Sequence, residues 1–114
     1  MIEIVGNPKY KKVYLSGPIT GIANLNIDEF QKYEDKFINL NFKVINPHKL
    51  HTSEETETFK WHEFMRKDIK EMMQCDFVAV LSGWEKSKGA NLELYIARNE
   101  EMPIIDAVTL KELF

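Results

Sequence analysis

The sequence has little of what marks a secreted or membrane-embedded protein. It contains one cysteine, Cys75, which cannot form an internal disulfide and is typical of a reducing compartment. The longest uninterrupted apolar run, Phe77 to Leu81, is far shorter than the roughly 20 residues that cross a bilayer. Residues 1–12 lack the apolar stretch of a secretion signal. We therefore expect a cytoplasmic protein that has no membrane partner.

Charge, histidine spacing and the absence of two loop motifs argue against three classes of ligand. The 15 basic and 18 acidic residues give a net charge of −3, and their interspersed signs leave no basic face for long nucleic acid. His48, His51 and His62 do not have the spacing of a zinc site, so we predict no metal. Neither a Walker A nor a GxGxxG motif is present, which argues against ATP and dinucleotides. We predict no cofactor.

The sequence does show an alternation of strands and helices. Its 114 residues suffice for one domain, which we assign to residues 1–114. Apolar runs predict strands at 13–15, 42–45, 77–81 and 103–105, and helical periodicity predicts helices at 26–39, 59–74 and 89–101. This order implies an α/β fold: a small doubly wound, Rossmann- or flavodoxin-like parallel sheet of four or five strands with helices on both faces.

Three other segments have weaker patterns. Residues 1–5 are a candidate fifth strand. Residues 48–58 are polar, rich in Thr and Glu and without periodicity, which predicts a mobile loop over one edge of a site. Residues 110–114 are predicted to form a last helical turn or two.

Asp68 lies on the apolar stripe of the helix predicted over 59–74. Its neighbours at helical spacing are Trp61, Phe64, Met65 and Met72, and we assign Trp61 and the pair Met72 and Met73 to the core. A carboxyl desolvated by such a wall has a raised pKa, so it can hold a proton near neutrality or act as a base. The alternative is a structural pairing of Asp68 with Arg66, Lys67 or a backbone amide.

Glu93 is predicted to lie in the first turn of the helix over 89–101. The helix dipole there favours the ionised carboxylate by about 0.3 to 1 kcal/mol. An ionised carboxylate beside a protonatable one is the arrangement of retaining glycoside chemistry, whereas the alternative is simple stabilisation of the helix terminus. The small residues Gly89, Ala90 and Ala97 indicate room for a substrate beside Glu93.

Three segments resemble a known family: residues 13–21 (VYLSGPITG), 68–81 and 89–97. The most specific feature is the joint spacing of Asp68, Asp76, Gly89 and Glu93. Over residues 12–105 the chain resembles the nucleoside 2-deoxyribosyltransferase superfamily, which includes the nucleoside 5′-monophosphate N-glycosidases. Its short length is similar to that of small, phage-type members.

The resemblance implies a reaction and its catalytic residues. Glu93 matches the nucleophile that attacks C1′ of the sugar, and Asp68 matches the second acid, which handles the proton of the base. The implied function is hydrolysis of the N-glycosidic bond of a (deoxy)nucleoside 5′-monophosphate with release of the free base. The alternatives are nucleoside 2-deoxyribosyl transfer and a catalytically silent nucleotide-binding module.

The resemblance also implies substrate-binding residues. The stretch that holds the base and the 5′ end of the sugar consists of Ser16, Gly17, Pro18, Ile19, Thr20 and Gly21. Ser87 stands where the monophosphate hydrolases carry Ser and the transferases carry an acid, and the following Lys88 and the amides of Gly89 and Ala90 favour a phosphate. Thr20 stands where some of these hydrolases carry Arg, which removes one phosphate contact.

Two residues and the oligomeric state complete the predictions. Trp84 either stacks on a base or lies at a subunit interface, and Asn91 either orients the sugar or supports the helix start. Because related enzymes complete their sites with a neighbouring subunit, we expect a homodimer or a higher homo-oligomer.

Overall fold

Four parallel strands form the sheet in this computed structural model, which describes residues 3–114. They are β1 (Lys12–Ser16), β2 (Lys43–Ile45), β3 (Phe77–Val80) and β4 (Ile104–Asp106), and their order across the sheet is β2-β1-β3-β4. Each neighbouring pair is parallel. The parallel α/β sheet predicted from the sequence is confirmed.

Helices cover both faces of this sheet. They are α1 (Ile27–Asn39), α2 (Ser53–Thr58), α3 (Trp61–Met72) and α4 (Lys88–Asn99), joined in part by short 3₁₀ turns at Ala23–Asn26, Pro47–Lys49 and Trp84–Lys86. Within residues 3–114, no helix is long and apolar enough to span a membrane.

The alternation of side chains along β1 divides the core into two clusters. Val13 and Leu15 join the cluster that contains Phe30 and Phe37 of α1. Tyr14 joins the opposite cluster, whose other members come from β3, β4, α3, α4 and, with Cys75, the turn between α3 and β3. Because alternate residues of a strand point to opposite faces, Ser16 lies on the same face as Tyr14. Both side chains are therefore directed toward α3 and α4.

The loop after β1 begins in close contact with the end of β3. A Cβ atom at Gly17 would lie 2.8 Å from the Cβ of Leu81, closer than side chains tolerate. Glycine is needed here because the chain leaves β1 against its neighbour. This contact fixes the start of the loop at the carboxyl ends of the two central strands, where ligands bind in parallel sheets.

The segment predicted as a mobile loop, residues 48–58, contains a capped helix instead. The hydroxyl of Thr52 accepts a hydrogen bond from the amide of Glu55, and the Glu55 carboxylate accepts one from the amide of Thr52, so the two form a capping box. Lys67 of α3 binds Glu55 at 2.8 Å. The prediction was wrong because a helix of six residues is too short to show a hydrophobic period.

Three other expectations about elements also need correction. Residues 110–114 form no helix; Glu112 makes an antiparallel bridge with Ile105 of β4. Residues 3–5 are not a strand, and the rest of the predicted strand 1–5, Met1 and Ile2, lies outside the described residues. Met72 is buried as expected, but Trp61 and Met73 are 41% and 40% exposed and do not belong to the core.

Candidate active site

A cavity of about 500 Å³ lies at the carboxyl ends of the central strands. This volume is typical of small-molecule sites. Its walls come from β1, the loops after β1 and β2, helices α2 and α3, and the start of α4. The lining residues include Tyr14, Gly17, Ile19, Thr20, Leu25, His48, His51, Trp61, Phe64, Met65, Asp68, Lys86, Ser87, Lys88, Gly89, Ala90 and Glu93.

Both predicted acids line this cavity. Asp68 projects from α3 and Glu93 from α4, and their residues are only 7% and 5% exposed. Buried carboxyls are rare unless they have partners or a chemical role. The structure thus places the two acids of the sequence analysis on one concave surface.

Two hydroxyl groups hold the carboxyl of Glu93. The Tyr14 hydroxyl donates to Oε2 at 2.5 Å, and the Ser16 hydroxyl donates to Oε1 at 2.8 Å. Burial raises the pKa of Glu93 to about 8, and the charge of Asp68 adds to this rise, whereas both hydroxyl hydrogen bonds oppose it. Burial also raises the pKa of Tyr14, so its hydroxyl keeps its proton.

The predicted environment of Glu93 was wrong in one respect. Helix α4 begins at Lys88 with Ser87 as its N-cap, and its first turn contains no acidic residue. Glu93 therefore lies in the second turn, beyond the reach of the unpaired amides at the helix start. Burial governs its pKa, and the helix dipole does not keep it charged.

Asp68 has a single polar partner among the described residues, His51. The imidazole Nε2 lies 2.8 Å from Asp68 Oδ1. Burial raises the pKa of Asp68 to about 7 against an opposing effect of Lys67, which is the direction predicted from its apolar neighbours. The alternative pairings with Arg66, Lys67 or a backbone amide are absent within residues 3–114, and Lys67 binds Glu55 instead.

The loop after β1 contributes part of the predicted binding stretch. Gly17, Ile19 and Thr20 line the cavity. Ser16 is fully buried and reaches Glu93 instead of the cavity. Pro18 and Gly21 are not among the lining residues; the Pro18 carbonyl accepts a hydrogen bond from the side chain of Asn26.

The start of α4 forms the opposite wall of the cavity. Ser87 lines it, and its Oγ accepts a hydrogen bond from the amide of Ala90 at 3.1 Å. Lys88 Nζ lies 4.1 Å from the ring centroid of Trp61. Gly89 and Ala90 also line the cavity, as their small size predicted. Ala97 does not, because it is fully buried in the core cluster between α4 and the sheet.

Two other predicted residues lie away from the cavity. Trp84 packs edge-to-face against Phe114, with 5.9 Å between ring centroids, and is not a lining residue. The Asn91 side-chain amide donates to the carbonyls of Trp84, Glu85 and Ser87, so it supports the helix start, which is one of its two predicted roles.

The sequence analysis missed several polar residues of this site, among them Tyr14 and His51. The signal for Tyr14 was its spacing of two from Ser16 on a strand, which places both on one face. His51 was hidden because its segment showed no periodicity. Within residues 3–114, no group of three or more His, Cys, Asp or Glu side chains is arranged to hold a metal ion.

Comparison with known families finds a match over most of this chain. The family model described as "Domain of unknown function (DUF4406)" matches residues 11–106, a span that contains both acids and all four strands. No curated protein matches the chain.

Proposed function

Because the chain belongs to the DUF4406 family, whose description names no reaction, we propose its function from the cavity. The proposal is hydrolysis of the N-glycosidic bond of a (deoxy)nucleoside 5′-monophosphate. One observation carries it: two buried carboxyls, Asp68 and Glu93, line a single cavity, and hydroxyl donors hold both oxygens of Glu93.

In the first step the carboxylate of Glu93 attacks C1′ of the sugar. The bond from C1′ to the base nitrogen breaks, its electron pair stays with the base, and Asp68 supplies the proton that neutralises the leaving base. Tyr14 and Ser16 each occupy one lone pair of Glu93, which orients the carboxylate and leaves a further lone pair on each oxygen. The product is a glycosyl ester on Glu93 and a free base.

In the second step water attacks C1′ from the side that the base has left. Asp68, now a carboxylate, takes a proton from this water, and the bond between C1′ and Glu93 breaks with its electron pair returning to the carboxylate. Both acids are restored. The same intermediate would give deoxyribosyl transfer if a second base took the place of water.

The reaction needs Glu93 ionised and Asp68 protonated. Burial raises the pKa of Glu93 to about 8 and that of Asp68 to about 7, so the form with Glu93 ionised and Asp68 protonated is a minority near neutral pH. The hydroxyls of Tyr14 and Ser16 favour the Glu93 anion, and the positive charge that develops on the sugar favours it further in the transition state. These interactions offset the cost of the buried anion.

The start of α4 supports a 5′-phosphate on the substrate. Two cationic side chains, Lys86 and Lys88, line the cavity on either side of Ser87. The adjacent amides of the helix start carry partial positive charge. A neutral hydroxyl at position 87 adds no repulsion. The adjoining wall formed by α3 is apolar, with Trp61, Phe64 and Met65, and suits the flat face of a base.

We also propose that a second copy of the chain covers the cavity. Leu25, which lines the cavity, is 49% exposed, and Ile22 and Ile27, close to it in the chain, are 42% and 40% exposed. Burial of these side chains would exclude water from the reaction. A monomeric mass in analytical ultracentrifugation at micromolar concentration would contradict this part of the proposal. A cytoplasmic location is consistent with the lone buried thiol of Cys75.

Substitution of the nucleophile tests the proposal. The protein is incubated with a panel of nucleosides and 5′-monophosphates, free base is measured by chromatography, and a second base is added to detect transfer. We expect the wild type to release base from monophosphates and Glu93→Gln to lose at least about 100-fold of this activity, because an amide is a poor nucleophile. Glu57→Gln, at an exposed position, is the matched control.

Two results would contradict the proposal. Full turnover by Glu93→Gln would exclude Glu93 as the nucleophile. Stabilisation of the wild type by nucleotides in thermal unfolding, without release of any base, would instead favour the binding module.

A further inference from the structure

His51 has no role in the reaction proposed above, although it is the only described side chain that contacts Asp68 through a hydrogen bond. Its Nε2 lies 2.8 Å from Asp68 Oδ1, and the two side chains are 8% and 9% exposed. A polar contact so well shielded from water is stronger than one at the surface. Whether His51 donates or accepts in this contact therefore affects how Asp68 can act as an acid.

The surroundings of Nδ1, the other ring nitrogen of His51, indicate which nitrogen carries the proton. Nδ1 of His51 is buried and has no hydrogen-bond partner among residues 3–114. The ring packs edge-on against Phe64 and Phe59, at 4.8 and 6.1 Å between centroids. A buried N–H without an acceptor is rarer than a buried acceptor without a donor, so Nδ1 is the nitrogen without a proton. The proton of the neutral imidazole then lies on Nε2.

The charged form of His51 is disfavoured for the same reason. An imidazolium would place a second, unpaired N–H at Nδ1 in an apolar contact. Burial lowers the pKa of His51, and the charge of Lys67 lowers it further against an opposing effect of Glu55. The contact with Asp68 is thus a hydrogen bond from a neutral ring at neutral pH.

The donation from His51 determines which oxygen of Asp68 can carry a proton. Since Oδ1 accepts the N–H of His51, a proton carried by Asp68 must lie on Oδ2. Oδ2 has no hydrogen-bond partner among the described residues, and Asp68 lines the cavity. The oxygen that holds the proton is then the one left open to a substrate.

We propose that His51 is a positioning residue, which donates from Nε2 to Asp68 Oδ1 and thereby places the proton of the acid on Oδ2, toward the cavity. Its role in turnover depends on the proposed function, since the base is the acceptor of that proton. The same donor holds the Asp68 carboxylate after the proton has left, so one orientation serves the acid of the first step and the base of the second.

Several charged groups act on this pair besides its two members. Glu55 of α2 and Lys67 of α3 affect His51, Lys67 also affects Asp68, and Glu93 of α4 and Tyr14 of β1 are coupled to Asp68. None of them is altered in the variants below. A change in titration can therefore be assigned to the contact with His51.

Three variants separate the donor from the ring. His51→Phe keeps the aromatic contacts and removes the donor. His51→Gln places an amide Nε2 where the imidazole Nε2 lies and keeps it. His62→Phe, at an exposed position of α3, is the control. The measurements are ¹⁵N NMR of the histidine ring nitrogens, ¹³C NMR titration of Asp68, and the pH dependence of base release.

We expect ¹⁵N shifts of a neutral ring protonated at Nε2 in the wild type. In His51→Phe we expect kcat to fall by about tenfold with a smaller change in KM, because the acid loses its orientation. The Asp68 titration should move to higher pH, because the carboxylate has lost a donor. His51→Gln should restore kcat and the titration, and His62→Phe should resemble the wild type.

A proton on Nδ1 or a charged ring in the wild type would overturn the proposal, as would an unchanged Asp68 titration in His51→Phe. If His51→Phe fails to fold, the wild-type ¹⁵N spectrum and the Asp68 titration in His51→Gln still test whether His51 donates to Asp68. Absence of base release by the wild type would refute the proposed function and any role of His51 in turnover, while the NMR arm would still test where the proton lies.

Discussion

At the scale of single residues, Ser87 joins the stability of a helix to the choice of substrate. Its Oγ caps α4 by accepting the amide of Ala90, and it also lines the cavity. Asp is an equally good N-cap, so Ser87→Asp changes the charge at this position and preserves the helix. The residue thus allows phosphate recognition to be tested without loss of the fold.

We predict that Ser87→Asp raises KM for 5′-monophosphates by at least about tenfold and leaves nucleosides unaffected, because a carboxylate repels the phosphate within the cavity. Steady-state kinetics on a matched nucleoside and monophosphate measure the difference. Ser87→Asn, a neutral N-cap of the same shape, is the control. An equal loss on both substrates would remove the argument for a phosphate.

The residues of the site differ in how far the sequence could predict them. Asp68 was predictable because an acid on an apolar stripe is a local pattern, and its raised pKa followed from the same neighbours. The charge state of Glu93 was not predictable, because it depends on the hydroxyls of residues 77 and 79 positions away and on burial between elements. His51 contacts Asp68 across 17 residues of the chain, so the pairing left no local signal.

At the scale of elements, α2 contributes Thr56 to the lining of the cavity and is held in place by few interactions. It has six residues, too few for an isolated helix to be stable, and it depends on its capping box and on the ion pair between Glu55 and Lys67. His51 directly precedes the N-cap, Thr52. Local opening of α2 is therefore expected to displace His51 from Asp68.

We predict that Thr52→Ala destabilises α2 by about 1 kcal/mol, the usual effect of removing an N-cap. The amides of Thr56 and Phe59, which close the helix, should then exchange with solvent about fivefold faster in native-state hydrogen exchange. Thr58→Ala serves as the control, because Thr58 is exposed and its hydroxyl donates to the carbonyl of Glu54 without capping an amide of the helix. Equal exchange in the two variants would show that the cap does not hold α2.

The longer elements were predictable and the shorter ones were not. The strands and the three long helices follow hydrophobic periods, so their existence was predicted within a few residues of their observed bounds. The predicted helix over 110–114 failed because Leu110 has a left-handed backbone, with φ of 64°, and Leu113 donates its amide to Ile104 of β4. Such pairing with a distant strand leaves no local signal.

At the scale of the whole molecule, the two buried acids link stability to pH. In the folded state the pKa of Asp68 is raised from 3.8 to about 7 and that of Glu93 from 4.5 to about 8. The folded state thus holds protons that the unfolded chain has released, and stability falls as pH rises toward these values. His48 and His51, with lowered pKa, have the opposite effect below their ordinary pKa of 6.5.

We predict that the free energy of unfolding decreases by about 1 kcal/mol between pH 7 and 8, as Glu93 loses its proton in the folded state. His48 and His51 are mostly neutral in both states in this range, because their ordinary pKa is 6.5 and the folded state lowers it. Glu93→Gln should abolish most of this slope and be more stable than the wild type at pH 8. Urea unfolding at intervals of half a pH unit measures it, with Glu57→Gln as the control. Parallel curves for wild type and Glu93→Gln would contradict the prediction.

The two edge strands of the sheet, β4 and β2, limit how copies of this chain can associate. The outer side of β4 is occupied by the chain itself, through the Ile105–Glu112 bridge and the amide of Leu113. The other edge strand, β2, is three residues long and carries the exposed Lys43. Short edge strands that carry lysine resist the addition of a strand from another molecule. Continuous intermolecular sheets, and with them fibrous aggregation of the native fold, are therefore disfavoured, and self-association is left to side-chain surfaces.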